Sequence, residues 1–177
     1  MNRVTSTDHD SPIGPILLTF VDAALVRLDV AHEGIDPARA DIARRLGVLP
    51  EPDAATGAPL VRQLDEYFAG RRRSFEVELD WRLVRGFTRA ALEAALDIPY
   101  GEVASYGEVA VMAGAPGAAR AVGTACASCP FSIVVPVHRV VRADGAIGEY
   151  GGHPEVKEHL LALENATVLG EGLRVAP

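Results

Sequence analysis

Apolar and polar residues alternate along several stretches of the first half of the chain. The segment SPIGPILLTFVDAALVRLDV predicts two short strands joined by a turn near Asp22-Ala23. SFEVELDW predicts a third strand, in which every second residue is apolar: Phe75, Val77, Leu79 and Trp81. GIDPARADIARRLGVLPEPDAATGAP predicts a short helix with a loop, and LVRQLDEYFAGRR predicts a helix that ends at Gly70. These elements indicate a small sheet with helices, an α+β arrangement.

The second half of the chain changes to helical spacing. In LVRGFTRAALEAALDIPYG the apolar residues recur at the helical period, and Pro99 and Gly101 predict the end of the helix. HPEVKEHLLALENA predicts a last helix with Pro154 near its start. We therefore place a boundary near Asp80–Val84, with residues 1–82 as an N-terminal α+β domain and residues 83–177 as a C-terminal domain.

Two consecutive helices are predicted in SYGEVAVMAGAPGAARAVGTACASCP. Ser105 and Glu108 form an S-x-x-E capping box, and Gly114 followed by APG predicts a tight connection to a second helix over Ala118–Ser128. This is the helix-turn-helix pattern of DNA-binding proteins, although an ordinary helical hairpin is the commoner source of such a pattern. Every side chain of the second helix except Arg120 is small or medium. That surface suits either a neighbouring helix or a nucleic-acid groove, in which a lone arginine can replace a base that has been turned out.

The charge balance argues against broad electrostatic attraction to nucleic acid. The formal net charge is −7; residues 1–96 carry 12 basic and 15 acidic groups, and residues 97–177 carry 5 and 9. Any contact with DNA would therefore depend on local geometry. The chain has two cysteines, no apolar run of membrane-spanning length and no secretion signal, so we expect a cytoplasmic protein with free thiols.

One histidine and one arginine interrupt an apolar run. FSIVVPVHRVV predicts a buried extended segment with a turn at Pro136, and burying His138 and Arg139 costs free energy unless both find partners. Further along, CASC is a C-x-x-C pair, which raises redox and zinc hypotheses. Both cysteines lie at the end of a helix rather than at its start, and too few further ligands are available for zinc, so we expect no metal.

Five segments in this order resemble the O6-alkylguanine-DNA alkyltransferase family: IPYGEVASYGEVA, GAARAVG, PVHRVV, GEYGG and VKEHLLALE. The resemblance covers roughly residues 83–166, and it extends more loosely to SPIGPILL and LDEYFAG. It implies an RNase H-like N-terminal domain and a winged helix-turn-helix-like C-terminal domain. Members of the family turn an alkylated guanine out of duplex DNA and move the alkyl group to a cysteine. The transfer chemistry requires no cofactor. Family members sometimes hold a structural metal in the first domain, but the sequence offers no convincing ligand set for one. We expect a monomer with no membrane partner.

The resemblance also assigns roles to residues of this chain. Tyr106 would crowd the phosphate of the flipped nucleotide, and Arg120 would fill the gap left in the base stack. The helix would contact DNA through further small residues: Ala118, Ala121, Gly123 and Thr124. His138 would act as a base through a water, oriented by Glu164, whereas Arg139 would be structural, with carbonyl or carboxylate partners. The lesion pocket would be lined by Val135, Pro136, Tyr150, Gly151 and Gly152.

Val137 stands where the family has its nucleophilic cysteine. Valine has no lone pair, so the position is inert and alkyl transfer to it is chemically excluded. Three explanations stay open. The chain is a natural pseudo-transferase resembling the alkyltransferase-like proteins, which present the lesion to excision-repair proteins; or it is an engineered Cys-to-Val form; or it is an active methyltransferase that uses another thiol. Alkyltransferase-like proteins usually carry tryptophan at this place, so valine departs from them too.

Cys129 is the candidate for a substitute thiol. It stands where the family has an asparagine near the nucleophile, but the C-terminal end of a helix disfavours a thiolate, so a packing role is favoured. Three further departures from the family, Ala127, Gly151 and Cys126, predict weakened DNA binding. We expect a DNA-repair protein that binds duplex DNA containing O6-alkylguanine, with transfer absent or impaired. A helix-turn-helix module without lesion preference is the competing class.

Overall fold

The computed structural model describes residues 2–170, with side chains through residue 165. The chain divides into two compact units, Met1–Leu83 and Val84–Pro177. The first holds a sheet with two helices, and the second is mainly helical, so the α+β architecture expected from the sequence is confirmed. Across residues 2–170, no helix combines the length and the apolar character needed to cross a bilayer.

Three antiparallel strands and one short parallel strand form the N-terminal sheet, in the order β3-β2-β1-β4. The strands are β1 (Val4–Ser11), β2 (Gly14–Val21), β3 (Ala24–Val30) and β4 (Glu51–Pro52). Asp22 and Ala23 both have positive φ values, 48° and 72°, as in the two-residue turns that suit hairpins. The turn predicted there is confirmed. Strand β1 was not predicted, because its buried residues include polar ones that carry no apolar alternation.

Two helices accompany the sheet of the N-terminal unit, α1 (Ile35–Leu46) and α2 (Ala54–Phe68). Helix α2 begins well before the predicted start at Leu60, because the side chain of Asp53 caps it. Its Oδ1 accepts hydrogen bonds from the N–H of Ala55 at 2.9 Å and of Thr56 at 3.3 Å. The buried face of α2 packs against β1 and β2.

The third strand predicted in SFEVELDW is wrong. This segment makes a single isolated bridge to the sheet, between Leu79 and Leu25 of β3, with backbone hydrogen bonds from Leu25 N–H to Glu78 O and from Asp80 N–H to Leu25 O, both 2.8 Å. Further back along the segment, the side chain of Gln63 bonds to both backbone groups of Glu76, at 2.7 and 3.0 Å. A side chain therefore satisfies the backbone where a strand ladder would have done so.

Four helices and a two-stranded parallel sheet build the C-terminal unit within the described residues. The helices are α3 (Gly86–Leu96), α4 (Tyr106–Met112), α5 (Ala119–Ala127) and α6 (Pro154–Gly170); the strands are β5 (Ala104–Ser105) and β6 (Val140–Val141). The capping box at the start of α4 is confirmed, since Glu108 N–H donates to Ser105 Oγ at 3.2 Å and Ser105 N–H donates to Glu108 Oε2 at 2.6 Å. Helices α4 and α5 pack against each other and against α3.

We predict that Gly57→Ala destabilises the N-terminal unit by about 1–3 kcal/mol. A Cβ atom at position 57 would overlap the side chain of Thr7 in β1, and this cost exceeds the helix-propensity gain of alanine over glycine. Urea denaturation followed by the fluorescence of Trp81, the only tryptophan of the chain, measures the change. Ala58→Ser adds one heavy atom at the exposed neighbouring position and is the control. Equal stability of the two variants would show that α2 does not pack this closely on β1.

Candidate functional site

The apolar run before His138 folds back on itself, so the predicted extended segment is wrong. Val135 N–H donates to Phe131 O at 2.8 Å, and Ile133 between them has a φ of 79°. A β-branched residue in this conformation costs about 1–3 kcal/mol, and the full burial of Ile133 holds it there. The periodicity of an apolar run does not distinguish a buried turn from a buried strand.

Residues Val137–Arg139 then form one turn of 3-10 helix that leads into β6. Strand β6 pairs in parallel with β5, with Ala104 opposite Val140 and Ser105 opposite Val141. Tyr106 directly follows strand β5, and Arg142 directly follows strand β6. Parallel strands run in the same direction. The pairing therefore brings Tyr106 and Arg142 to the same end of the small sheet.

A buried carboxylate organises the 3-10 turn. Glu164 of α6 is 1% exposed, and its Oε1 lies 2.7 Å from Nε2 of the fully buried His138. Arg139 donates to both carboxylate oxygens, from Nε to Oε2 at 2.9 Å and from Nη2 to Oε1 at 3.0 Å. The predicted structural role of Arg139, with carbonyl or carboxylate partners, is confirmed.

The same carboxylate also fixes the segment after α3. Gly101, which has a φ of 80°, donates its N–H to Glu164 Oε2 at 3.1 Å. Arg139 extends this tie, because its Nη1 donates to Ile98 O at 2.7 Å and its guanidinium carbon lies 5.5 Å from the centre of the Tyr100 ring. Helix α6, the 3-10 turn and the end of α3 are therefore joined at one point.

The charges at this point are set by burial and hydrogen bonding. Burial favours the neutral form of Glu164, but the hydrogen bonds from His138 and Arg139 outweigh it and lower the pKa of this carboxyl to about 2. Burial lowers the pKa of His138, so its ring is neutral near pH 7. An ionised Glu164 can only accept hydrogen bonds, so Nε2 of His138 carries the proton and Nδ1 is the basic atom of the ring.

A cavity of about 510 Å³ lies in the C-terminal unit, a size typical of pockets that hold small-molecule ligands. Several of the residues singled out in the sequence line it: Tyr106, Arg120, Gly123, Thr124, Val137, Tyr150 and Gly151. The remaining candidates do not line it. Val135 and His138 are fully buried, Pro136 is buried next to them, and Glu164 lies beneath the turn. Ala118, Ala121, Cys129 and Gly152 also lie outside the lining.

Five further residues complete the lining and were not among the predicted site residues: Cys126, Ala127, Arg142, Gly148 and Glu149. Gly148 shows how closely the loop after β6 approaches Tyr106. A Cβ on Gly148 would lie 3.0 Å from the Tyr106 hydroxyl oxygen and 3.6 Å from Cγ of Arg142, and the φ of Gly148 is 75°. The run of glycines in this loop was the only sequence signal for such an approach.

Neither thiol of the chain is activated. Cys126 lines the cavity, but burial raises the pKa of its thiol to about 11 despite the nearby Lys157. Burial raises the pKa of the Cys129 thiol to about 12. Both values leave almost no thiolate near neutral pH, and the thiolate is the nucleophile. Among the described residues, no group of three or more His, Cys, Asp or Glu side chains could hold a metal ion.

Lys157 of α6 contacts the side of the cavity that Tyr106 lines. It is 1% exposed, its Nζ donates to Val140 O at 2.6 Å, and Nζ lies 5.7 Å from the centre of the Tyr106 ring. Burial lowers the pKa of Lys157 and raises the pKa of the Tyr106 hydroxyl. One ammonium group thus connects α6, β6 and the tyrosine at the cavity.

Two family profiles together cover most of the chain. The profile described as "6-O-methylguanine DNA methyltransferase, ribonuclease-like domain" matches residues 5–81, and "6-O-methylguanine DNA methyltransferase, DNA binding domain" matches residues 86–166. The cavity, the 3-10 turn and the buried Glu164 all lie within the second match. The chain belongs to the 6-O-methylguanine DNA methyltransferase family.

Individual proteins show the same similarity over nearly the whole chain. The methylated-DNA–protein-cysteine methyltransferase of Mycobacterium leprae is 45% identical over 160 residues, which are 90% of this chain and 92% of that protein. The structure of Mycobacterium tuberculosis O6-methylguanine methyltransferase has a TM-score of 0.80 at 42% identity and covers 93% of this chain and 94% of that one. A structure of the M. tuberculosis protein in complex with DNA has a TM-score of 0.79 at 41% identity, covering 92% and 94%.

We predict that Glu164→Gln destabilises the C-terminal unit by about 3–5 kcal/mol at neutral pH, because it leaves the buried guanidinium of Arg139 without a counter-charge. Urea denaturation followed by circular dichroism measures the loss. Glu158→Gln removes the same charge from an exposed position of α6 and should change stability by less than about 0.5 kcal/mol. A loss no larger than that of the control would contradict the assignment of Glu164 as the organising charge.

The same comparison has a pH dependence of known sign. The pKa of Glu164 is lower in the folded protein than its ordinary value of 4.5, so the ionised form stabilises the fold above pH 4.5. This contribution is lost as the pH falls from about 4.5 to about 2. The difference in stability between wild type and Glu164→Gln should therefore shrink over this interval.

Proposed function

We propose that this protein binds duplex DNA through its C-terminal unit, receives an O6-alkylguanine in the cavity, and leaves the alkyl group in place. The lining of the cavity is the observation that carries the proposal. Tyr106, Arg120 and Tyr150 line it, and the residue at position 137 of the lining is a valine. Such a site provides walls for a turned-out base but no sulfur at position 137.

The exposed face of α5 supports binding to a DNA groove. Ala121, Thr124 and Ala127 are exposed and small, and Arg120 is the exposed long side chain beside them. A smooth helix can approach a duplex closely, and an arginine on it can occupy the space left by a flipped base. The M. tuberculosis relative has been solved in complex with DNA, which supports the same partner here.

The chemistry of transfer explains why the alkyl group would stay on the base. Transfer requires a lone pair on sulfur to attack the alkyl carbon while the bond from that carbon to O6 breaks and guanine leaves. The methyl groups of Val137 hold no lone pair. Burial lowers the pKa of His138, so its ring is neutral and Nδ1 can accept a proton, yet residue 137 carries no acidic proton for it to remove.

The names of the relatives include a cysteine as the alkyl acceptor, and this makes the thiols of this chain the second candidate acceptors. Cys126 is the stronger of the two, because it lines the cavity and Cys129 does not. The raised pKa of Cys126 argues against rapid transfer. A lesion that is bound and not repaired requires other proteins to remove it, and we propose excision-repair proteins as those partners.

We predict a preference for the lesion without a change in the mass of the protein. Fluorescence anisotropy compares duplexes that contain or lack one O6-methylguanine, and intact mass spectrometry follows the protein after incubation. We expect tighter binding to the damaged duplex and an unchanged mass. Arg120→Ala should weaken binding to the lesion, whereas Arg89→Ala, on the exposed face of α3, should not.

Two outcomes of this experiment would refute the proposal in different ways. Equal affinity for both duplexes would favour a helix-turn-helix module without lesion preference. A gain of one methyl group would identify an active transferase, and peptide mapping would then assign it to Cys126 or Cys129.

We predict that Val137→Cys acquires one methyl group from a duplex containing O6-methylguanine. The substitution places a thiol in the cavity lining, and this thiol is next in sequence to the buried His138. Val135→Cys, which places a thiol in a buried position outside the cavity, is the matched control and should stay unmodified. Intact mass gives the readout. A folded Val137→Cys protein that binds the lesion and acquires no methyl group would show that position 137 is not the acceptor position.

A further inference from the structure

Arg142 reaches the cavity from a part of the chain that is separate from α5. It follows β6 directly, and the parallel pairing of β5 with β6 brings it beside Tyr106. The stem of Arg142 runs past Gly148, where a Cβ would come within 3.6 Å of Cγ of Arg142. The cavity therefore has two arginines among its lining residues, Arg120 from α5 and Arg142 from the loop after β6.

The loop holds the backbone of Arg142 in place and leaves its side chain accessible. Arg142 N–H donates to Ala146 O at 2.9 Å, and Gly145 N–H donates to Arg142 O at 3.0 Å. The side chain of Arg142 is 62% exposed, and its Nη2 lies 3.4 Å from Oδ2 of Asp144, whose side chain is 60% exposed. An ion pair this exposed contributes little stability and exchanges readily for another anion.

The charge of the C-terminal half makes a second cation at the cavity significant. Residues 97–177 carry 5 basic and 9 acidic groups, and the exposed part of α5 that follows Arg120 ends in Ala127 without a further basic side chain. Because this region carries a net negative charge, a polyanion is attracted to it only through local groups of cations. Arginine on a fixed backbone is suited to this, because its guanidinium binds phosphate through paired N–H groups.

We propose that Arg142 binds a phosphate of the DNA backbone at the rim of the cavity, and that Asp144 competes with that phosphate for its guanidinium. This inference rests on the proposed binding of DNA by the C-terminal unit. Arg142 fixes the position of the strand, and Arg120 occupies the base stack. Because phosphate is common to every sequence, Arg142 contributes equally to damaged and undamaged duplexes.

The salt dependence of DNA binding tests the proposal. Fluorescence anisotropy on duplexes with and without O6-methylguanine, over a series of potassium chloride concentrations, gives the slope of log K against log salt. Arg142→Ala should reduce the slope by about one and lower the affinity at low salt roughly two- to fivefold on both duplexes. Arg142→Lys keeps the charge and should keep the slope. Arg89→Ala removes one positive charge elsewhere in the unit and should leave the slope unchanged.

Asp144→Asn tests the competition directly. Asn retains the oxygen that accepts the Ala146 N–H at 3.1 Å, so the turn is preserved while the carboxylate charge is removed. The affinity should rise, and it should rise more than in Glu158→Gln, which removes one negative charge from the exposed face of α6.

The outcomes separate this inference from the proposed function. If wild type binds both duplexes and Arg142→Ala behaves as Arg89→Ala does, the role of Arg142 is overturned and DNA binding stands. If wild type binds both duplexes equally and Arg142→Ala still lowers the slope, the role of Arg142 stands and lesion recognition is overturned. Absence of binding by wild type overturns both.

Discussion

The structure of the site depends on one buried carboxylate that ties together three segments distant in sequence. Glu164 of α6 accepts hydrogen bonds from Nε2 of His138, from two nitrogens of Arg139 and from the N–H of Gly101. A buried anion with this many donors is fully compensated, whereas removing any one partner would leave a buried polar group unpaired. These hydrogen bonds hold the 3-10 turn that places Val137 at the cavity, because the turn itself is too short to be stabilised by its own backbone hydrogen bonds.

This arrangement separates the shape of the cavity from the chemistry of group transfer. The hydrogen bonds that set the turn come from the side chains of His138, Arg139 and Glu164, and none of them involves the side chain of Val137. A change at position 137 between a thiol and a similar apolar group therefore leaves the supports of the turn intact. The family to which the chain belongs is named for methyl transfer from 6-O-methylguanine, and the names of its relatives include a cysteine as the acceptor. The cavity and the hydrogen-bonded turn are the basis for proposing binding without transfer here.

The sequence predicted the parts of the fold that are encoded locally. The turn at Asp22-Ala23 and the capping box of Ser105 and Glu108 depend on adjacent residues, and both are present. Strand β1 and the bridge at Leu79 depend instead on neighbouring segments that are distant in sequence. The polar strand β1 was therefore missed, and the alternating segment around Leu79 was wrongly predicted to be a strand. In the site, residues of conspicuous type were singled out, but Arg142 was not, because its approach to Tyr106 follows from the pairing of β5 with β6.

The most direct test of the account is a crystal structure of the protein with a duplex that contains one O6-methylguanine. We expect the damaged base to lie in the cavity beside Val137 and Tyr150 with its methyl group still bonded to O6, and Arg120 to occupy the vacated place in the stack. A base that remains stacked in the duplex, or a cavity filled by the protein's own side chains, would contradict it.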